Sequence, residues 1–307
     1  MSILLTGAAG QLGTELLPLL SARGRVTATD RSRPATAVES WLELDISDGG
    51  KLELLLNRVR PELIVNAAAY TAVDQAETDV KTAFDVNAEF PGRLAHWAKQ
   101  NDARLIHYST DYVFDGIATS PYLETDIPDP QNVYGQSKLE GERVIESSGC
   151  MHATLRTSWV YSSHGKNFVL SMLDLARRGI PLKVVDDQQG CPTWARNLAR
   201  ASDKVLEQWQ TQGVDHHNGL FHYCDDCTVS WYDFAHAVFH YAVEAGLLNS
   251  EPDLVPIPSS AFPQPAPRPK WSVLDTNRIE TAFDIHPASF NRSLKTVIDE
   301  ATKRAQL

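Results

Sequence analysis

Tyr134 and Lys138 stand four residues apart in Asn132-Val-Tyr-Gly-Gln-Ser-Lys138. On a helix that spacing places both side chains on one face. A free phenol ionises near pH 10, too high for efficient proton exchange at neutral pH, and a neighbouring ammonium brings that value down by stabilising the phenolate. Such a pair can hand a proton to the alkoxide that develops when a ketone receives hydride. The spacing alone is common on helix surfaces, so a third component matters. Ser109 and Thr110 close the apolar run Leu105-Ile-His-Tyr108. A hydroxyl at the carboxyl end of a parallel strand faces the ligand crevice and can polarise a carbonyl there. Thr110, Tyr134 and Lys138 are therefore the candidate catalytic residues.

A hydride source is implied at the other end of the chain. Thr6-Gly7-Ala-Ala-Gly10-Gln-Leu-Gly13 follows the apolar stretch Ile3-Leu4-Leu5 and precedes a leucine-rich helical pattern. Gly7 permits the tight turn, Gly10 lets backbone approach a pyrophosphate, and Gly13 lets the helix pack against the sheet. The exposed N–H groups and helix dipole then hold phosphates. Asp30 ends the second strand, about 20 residues beyond the loop, where a carboxylate accepts from the adenosine ribose. Arg31 and Arg33 follow directly, and a guanidinium there could receive a 2′-phosphate instead. Use of both NADH and NADPH is expected, without a thousandfold preference for either.

The elements that must hold these residues read as an α/β chain. Short strands at Ile3–Leu5, Arg25–Thr29, Leu63–Val65, Leu105–Tyr108 and Thr154–Arg156 alternate with amphipathic helices, one of them over residues 79–101. This is the pattern of a Rossmann-type, doubly wound parallel sheet covered on both faces. Residues 115–132 show no period and predict a functional loop, and residues 132–147 predict the helix that carries Tyr134 and Lys138. Beyond residue 160 the alternation decays through helices at 167–178 and 230–247 and a strand at 182–185. The stretch Pro256–Pro269 has six prolines and predicts an extended surface loop. The reading is a dinucleotide-binding domain over 1–160 and a smaller mixed α/β substrate domain over 161–307, with part of 165–230 returning to the sheet.

The totals exclude several function classes. A chain of 307 residues with 43% hydrophobic and 22% charged residues has ample core for globular domains. A formal charge of −11 without a basic run argues against nucleic acid or an anionic membrane as partner. No apolar run approaches a membrane span, and the N-terminal residues lack a signal peptide's basic start, so a cytoplasmic protein is expected. Cys150, Cys191, Cys224 and Cys227 are too few for a disulfide scaffold. Cys224-Asp-Asp-Cys227 follows His216, His217 and His222, but without a second C-x-x-C a zinc site is not the favoured reading.

Nearly the whole chain resembles the dTDP-4-dehydrorhamnose reductases, within the extended short-chain dehydrogenases/reductases. The resemblance is carried by Thr6–Gly13, Val65-Asn-Ala-Ala-Ala-Tyr-Thr-Ala-Val-Asp74, Tyr108-Ser-Thr-Asp-Tyr-Val-Phe114, Asn132–Lys138, Arg156-Thr-Ser-Trp-Val-Tyr161, Asp187–Thr193 and Arg268–Asp275. It implies Tyr134 as proton donor, Lys138 as its partner and a ribose ligand, and Thr110 as the residue tuning the carbonyl. It implies a coenzyme lining of Gly10, Gln11, Leu12, Asp30, Asp45, Ile46 and Ala67, Ala68 and Ala69. Thr110, Asp111 and Trp159 would touch a dTDP-sugar, the indole facing the deoxy side of the hexose. Lys183, Arg196, Arg268 and Lys270 are candidate diphosphate ligands, chosen as cations of the closing half. Some members form a metal-bridged dimer through acidic residues. Glu15 matches one of these, but Arg196 stands where another acid is needed, so no metal and a monomer or weak homodimer are expected. The triplet Thr110-Asp111-Tyr112 lacks the glutamate of a 4,6-dehydratase. A 4-epimerase, another nucleotide-sugar reductase, and a regulatory subunit like that of methionine adenosyltransferase stay open.

Overall fold

The computed structural model describes residues 1–34, 40–46, 49–179, 181–211 and 217–305. The first half of the chain alternates strand and helix: β1 (Ser2–Thr6), α1 (Gln11–Arg23), β2 (Arg25–Asp30), β3 (Trp41–Glu43), α2 (Gly49–Val59) and β4 (Leu63–Asn66). Three helical pieces follow, α3 (Val73–Ala76), α4 (Val80–Phe84) and α5 (Phe90–Gln100), with a π turn at Asp85–Glu89 between the last two. Then come β5 (Arg104–Thr110), a 3₁₀ turn at Asp111–Val113, α6 (Val133–Ser148) and β6 (Met151–Thr157). Ile3, Leu4, Leu5, Leu63, Ile64 and Val65 are fully buried, as strands covered on both faces must be.

The second half is less regular. It comprises β7 (Val160–Tyr161), α7 (Phe168–Arg177), β8 (Leu182–Val185), β9 (Gln189–Gly190), β10 (Thr193–Trp194), α8 (Ala195–Thr211) and β11 (Gly219–His222). After these come β12 (Val229–Ser230), α9 (Trp231–Glu244), β13 (Leu254–Ile257), α10 (Asn277–Phe283) and α11 (Phe290–Ala305). Strand β11 pairs with β6, so the main sheet runs β11-β6-β5-β4-β1-β2-β3, every pair parallel. The order reverses between β1 and β4, which opens a crevice at their carboxyl ends. The doubly wound sheet expected from the alternation is present.

One apolar core joins α1 to α8 through Leu16, Leu20, Leu198, Val205 and Trp209. A separate core gathers Tyr161, Val169, Phe234, Val238 and Leu294. The proline stretch departs from its reading as loop alone. Pro256 lies in β13, which among the described residues pairs with β8 alone, and an edge position tolerates a residue without an N–H. The region 115–132 is ordered by Tyr122, whose hydroxyl accepts from Gly116 N at 3.0 Å and Ala118 N at 3.2 Å.

Candidate active site

Glycine geometry builds the first wall of the site. Gly7 has φ +68°, and a Cβ there would lie 2.5 Å from the Ala67 carbonyl carbon. Only glycine lets the β1–α1 turn rest on the backbone that follows β4. A Cβ on Gly13 would meet Gly7 O at 2.1 Å, so α1 packs directly behind the loop. In front lies a cavity of about 770 Å³, lined by Gly7, Gly10, Asp30, Arg31 and Asp45, and by Ile46 and Ala67–Ala69. Asp30 is held in place at its rim: its carboxylate accepts from Ala9 N at 3.0 Å and Arg31 N at 2.7 Å. An extended dinucleotide fits this setting, with a backbone cradle for phosphates and a carboxylate for ribose hydroxyls.

Five residues expected along the coenzyme do not line that cavity, Tyr134 and Lys138 among them. Leu12 packs into the core and Gly13 sits behind the turn. The Gln11 carboxamide is turned to the segment after β7, where its oxygen accepts from Ser162 Oγ at 2.8 Å and Asn167 Nδ2 at 3.0 Å. Tyr70, Gln75 and Asp79, from the segment after β4, complete the wall instead.

The catalytic candidates converge at the ends of β5 and α6. Asn132 caps α6 by accepting from Gly135 N at 2.8 Å, and Gly149 ends it in the left-handed conformation. The Thr110 hydroxyl donates to Asp111 Oδ1 at 2.9 Å and accepts from Tyr112 N at 3.2 Å. The Tyr112 ring meets Tyr134 edge-on at 5.6 Å. Burial pushes the Tyr134 phenol up to about 12; the Thr110 hydroxyl works against this and Asp111 reinforces it. Burial also raises the Asp111 carboxyl to about 6, opposed by the Ser272 and Thr110 hydroxyls.

Lys138 differs from its expected role as the phenol's acidifier. Its Nζ is buried and donates to Tyr108 O at 2.6 Å. Desolvation lowers its pKa to about 8 although Glu142 favours the charged form. In the free protein, then, burial dominates the phenol, and the groups that modulate it are Thr110 and Asp111 rather than the ammonium one turn away.

Asn87 is a residue that the sequence reading misses. It lies in the π turn, exchanges hydrogen bonds with the Tyr70 backbone at 2.9 and 3.0 Å, and donates to Ser137 Oγ at 3.0 Å. It thereby ties the coenzyme wall to the helix of Tyr134 and Lys138. The phase slip that a π turn imposes on an apolar period is its only signal.

A second cavity of about 410 Å³ includes Tyr112, Phe168, Lys183, Gln188, Trp231 and Arg268 in its lining. Of the four candidate diphosphate cations, this places Lys183 and Arg268 together. Arg268 also pairs with Asp74 at 2.9 Å. Lys270 does not line the cavity, and Arg196 is engaged elsewhere: it bridges Glu15 at 2.7 Å and Glu300 at 2.6 Å. Trp159 has φ +47° and stacks on Trp231 at 3.6 Å, so one indole face is covered. Cys191 and Cys224 are free and share one buried apolar cluster. His222 bonds Tyr122 O through Nδ1 at 3.1 Å, whereas His216 lies outside the described residues. Among the described residues no cluster of three metal-ligating side chains occurs, and no helix is long and apolar enough to cross a membrane.

A glycine turn at the switch point, with a hydroxyl at the end of β5 and a phenol and an ammonium on α6, defines a dinucleotide-dependent carbonyl oxidoreductase of the short-chain type. The RmlD substrate binding domain model matches residues 1–303. A dTDP-4-dehydrorhamnose reductase of Aggregatibacter actinomycetemcomitans is 40% identical over 297 residues, 96% of this chain and 97% of that protein. The crystal structure of a Clostridium acetobutylicum dTDP-4-dehydrorhamnose reductase superposes with a TM-score of 0.85 at 34% identity, covering 100% of both chains. One from Bacillus anthracis, in complex with NADP, gives 0.85 at 30% identity over 97% of this chain and 98% of that one. The chain belongs to the dTDP-4-dehydrorhamnose reductase family.

Proposed function

We propose that the protein reduces the C4 ketone of dTDP-4-dehydro-L-rhamnose to dTDP-L-rhamnose, a precursor of cell-surface polysaccharide, with NADPH or NADH as reductant. The coenzyme would lie across Gly7, Gly10 and Ala67–Ala69 with its adenosine ribose at Asp30, and it supplies the hydride. Arg31, at the same rim, is the residue that would accept a 2′-phosphate. Thr110 would turn its one hydroxyl proton from Asp111 to the substrate carbonyl and draw charge onto its oxygen. Tyr134 would deliver the proton. Its raised pKa suits this direction, because the group must be a neutral donor at pH 7 and an alkoxide is a far stronger base than a phenolate. The Lys138 ammonium would then offset the phenolate left behind and hold the ribose.

The observation that carries this reading is the convergence of the buried Thr110 hydroxyl, at the carboxyl end of β5, with Tyr134 on the first turn of α6, the two joined through Tyr112. Lys183 and Arg268 are the cations proposed for the diphosphate. Trp159, stacked on Trp231 and approached by Gly190, would meet the sugar through the part of the indole that these two leave open. The proposed division is a coenzyme half over 1–160 and a substrate half over 161–307, with α8 and β11 returning to the sheet. Because Arg196 satisfies Glu15 within one chain, a monomer or weak homodimer without metal is proposed. The test is NADPH oxidation with dTDP-4-keto-6-deoxy-L-mannose, with UDP-sugar ketones as controls. Turnover confined to the dTDP substrate is expected; equal turnover of the UDP ketones would remove the dTDP assignment.

A further inference from the structure

The first residue of α1 is tied to the first turn of α7 by one side-chain pair. Gln11 follows Gly10 of the coenzyme cavity, and its Oε1 accepts from Asn167 Nδ2 at 3.0 Å and Ser162 Oγ at 2.8 Å. Asn167 is buried and does two things at once. Its Oδ1 accepts from Leu170 N at 3.1 Å and so caps α7. Its Nδ2 also donates to Ser162 O at 2.9 Å and His164 O at 3.1 Å. Gly165, with φ +71°, brings the intervening turn so close that a Cβ would lie 3.0 Å from Gln11 Cγ. The next residues of α7, Phe168 and Met172, line the 410 Å³ cavity that holds Lys183 and Arg268. A short run of polar contacts thus spans from the coenzyme turn to the wall of the second cavity.

We propose that the Gln11–Asn167 pair couples the two cavities, so that coenzyme on the glycine turn fixes the start of α7 and tightens sugar-nucleotide binding. The inference rests on the dTDP-sugar reading above. Coenzyme that orders the Gly10–Gln11 backbone also orders the Gln11 carboxamide. The carboxamide fixes the Asn167 side chain, and the cap fixes the orientation of Phe168 and Met172. A nucleotide arriving second then has less of its own site to order. Reciprocity requires the nucleotide to tighten coenzyme binding by the same factor. Gln11 and Asn167 are positioning residues here, since they act through the backbone turn and through α7.

Calorimetric titration of the full chain with dTDP, with and without saturating NADPH, tests this. In the wild type NADPH should strengthen dTDP binding about tenfold, within the usual range for coupled sites. Asn167→Ser keeps a capping oxygen but removes the bridging amide, and Gln11→Ala removes the acceptor. Each should reduce the coupling below about twofold, and the double variant should lose no more than either single one. Gln11→Glu retains the acceptor, so its coupling should stay near the wild-type factor even though its charge weakens NADPH binding itself. Exchange of the Leu170 and Ser171 amides should slow on NADPH binding in the wild type and not in Asn167→Ser. Wild-type coupling in both single variants, or independent binding of the two ligands in the wild type, would overturn the inference alone. Failure of dTDP to bind the wild type at all would overturn it together with the substrate reading.

Discussion

Tyr134 and Lys138 are both displaced from their solution ionisation by burial, in opposite directions. The phenol rises to about 12 and the ammonium falls to about 8. Replacing Tyr134 by Phe should lower kcat at least about a hundredfold, the usual worth of a general acid, while NADPH binding by fluorescence titration changes little. Near-normal turnover would take the proton donor away from this residue. The lowered Lys138 value has a separate signature. Below about pH 8 the group is charged in both folded and unfolded chains; above it the folded chain loses the proton first, so the unfolded chain binds more protons. Stability contributed by this residue therefore increases from about pH 8 toward its unfolded value near 10.5, while the cation needed beside the phenolate disappears. A pH profile of kcat/KM falling above about pH 8, alongside chemical denaturation showing no matching loss of stability, is expected. An activity plateau through pH 9.5 would contradict it. The candidate Thr/Tyr/Lys group is picked out by residue type and spacing. The sign of the phenol's shift is not, because it depends on how much water the fold removes.

Helix α6 shows what an element must do for such residues. Cβ atoms on Gly135 and Gly141 would meet Tyr112 O and Asn87 O, each at 2.1 Å, so the helix approaches two backbone carbonyls that no side chain could clear. Gly141→Ala should cost about 1–3 kcal/mol by urea denaturation, as overpacked sites do, and should lower kcat by moving α6 away from the π turn. Unchanged stability would mean that the turn yields freely. Asn87→Ala should reproduce the kcat loss without added bulk. The capped helix and the glycine turn are legible because their signals are local: Asn132, Gly149 and the spacing of Gly7, Gly10 and Gly13. The π turn is nearly hidden: Val80 and Phe84 keep one helical period and Leu94 and Ala98 another, and the ten residues from Phe84 to Leu94 leave the two runs roughly 80° out of phase. Strand β3, three residues long at the sheet edge, is too short to carry any period. The Lys183–Arg268 pairing is set by folding alone, from elements with no fixed spacing in sequence.

At the scale of the whole molecule, Arg196 clasps α1, α8 and α11. It bridges Glu15 and Glu300, while His164 approaches Glu15 at 3.2 Å and Arg304 donates to Ser163 O at 3.0 Å. Burial alone would raise the Glu15 carboxyl, but hydrogen bonds from His164 and Arg196 and the Arg196 charge hold it at about 2. A carboxyl depressed in the folded state stabilises above its unfolded pKa, and that contribution disappears as pH falls toward about 2. Arg196→Met should cost on the order of 2 kcal/mol at pH 7, and the difference from wild type should shrink progressively below about pH 4. A gap that persists at pH 2.5 in thermal melts would show that packing, not charge, sets the cost.

Strand β11 has a consequence for how the protein is made. The coenzyme sheet receives its last strand from residues 219–222, long after β6. A ribosome must release most of the polypeptide before the nascent sheet can shed its open border, and until then β6 offers unpaired amides to any neighbouring chain. A gene fragment ending at residue 160 should accordingly accumulate as insoluble aggregate, whereas one extended past α8 and β11 gives the same strands a closed edge.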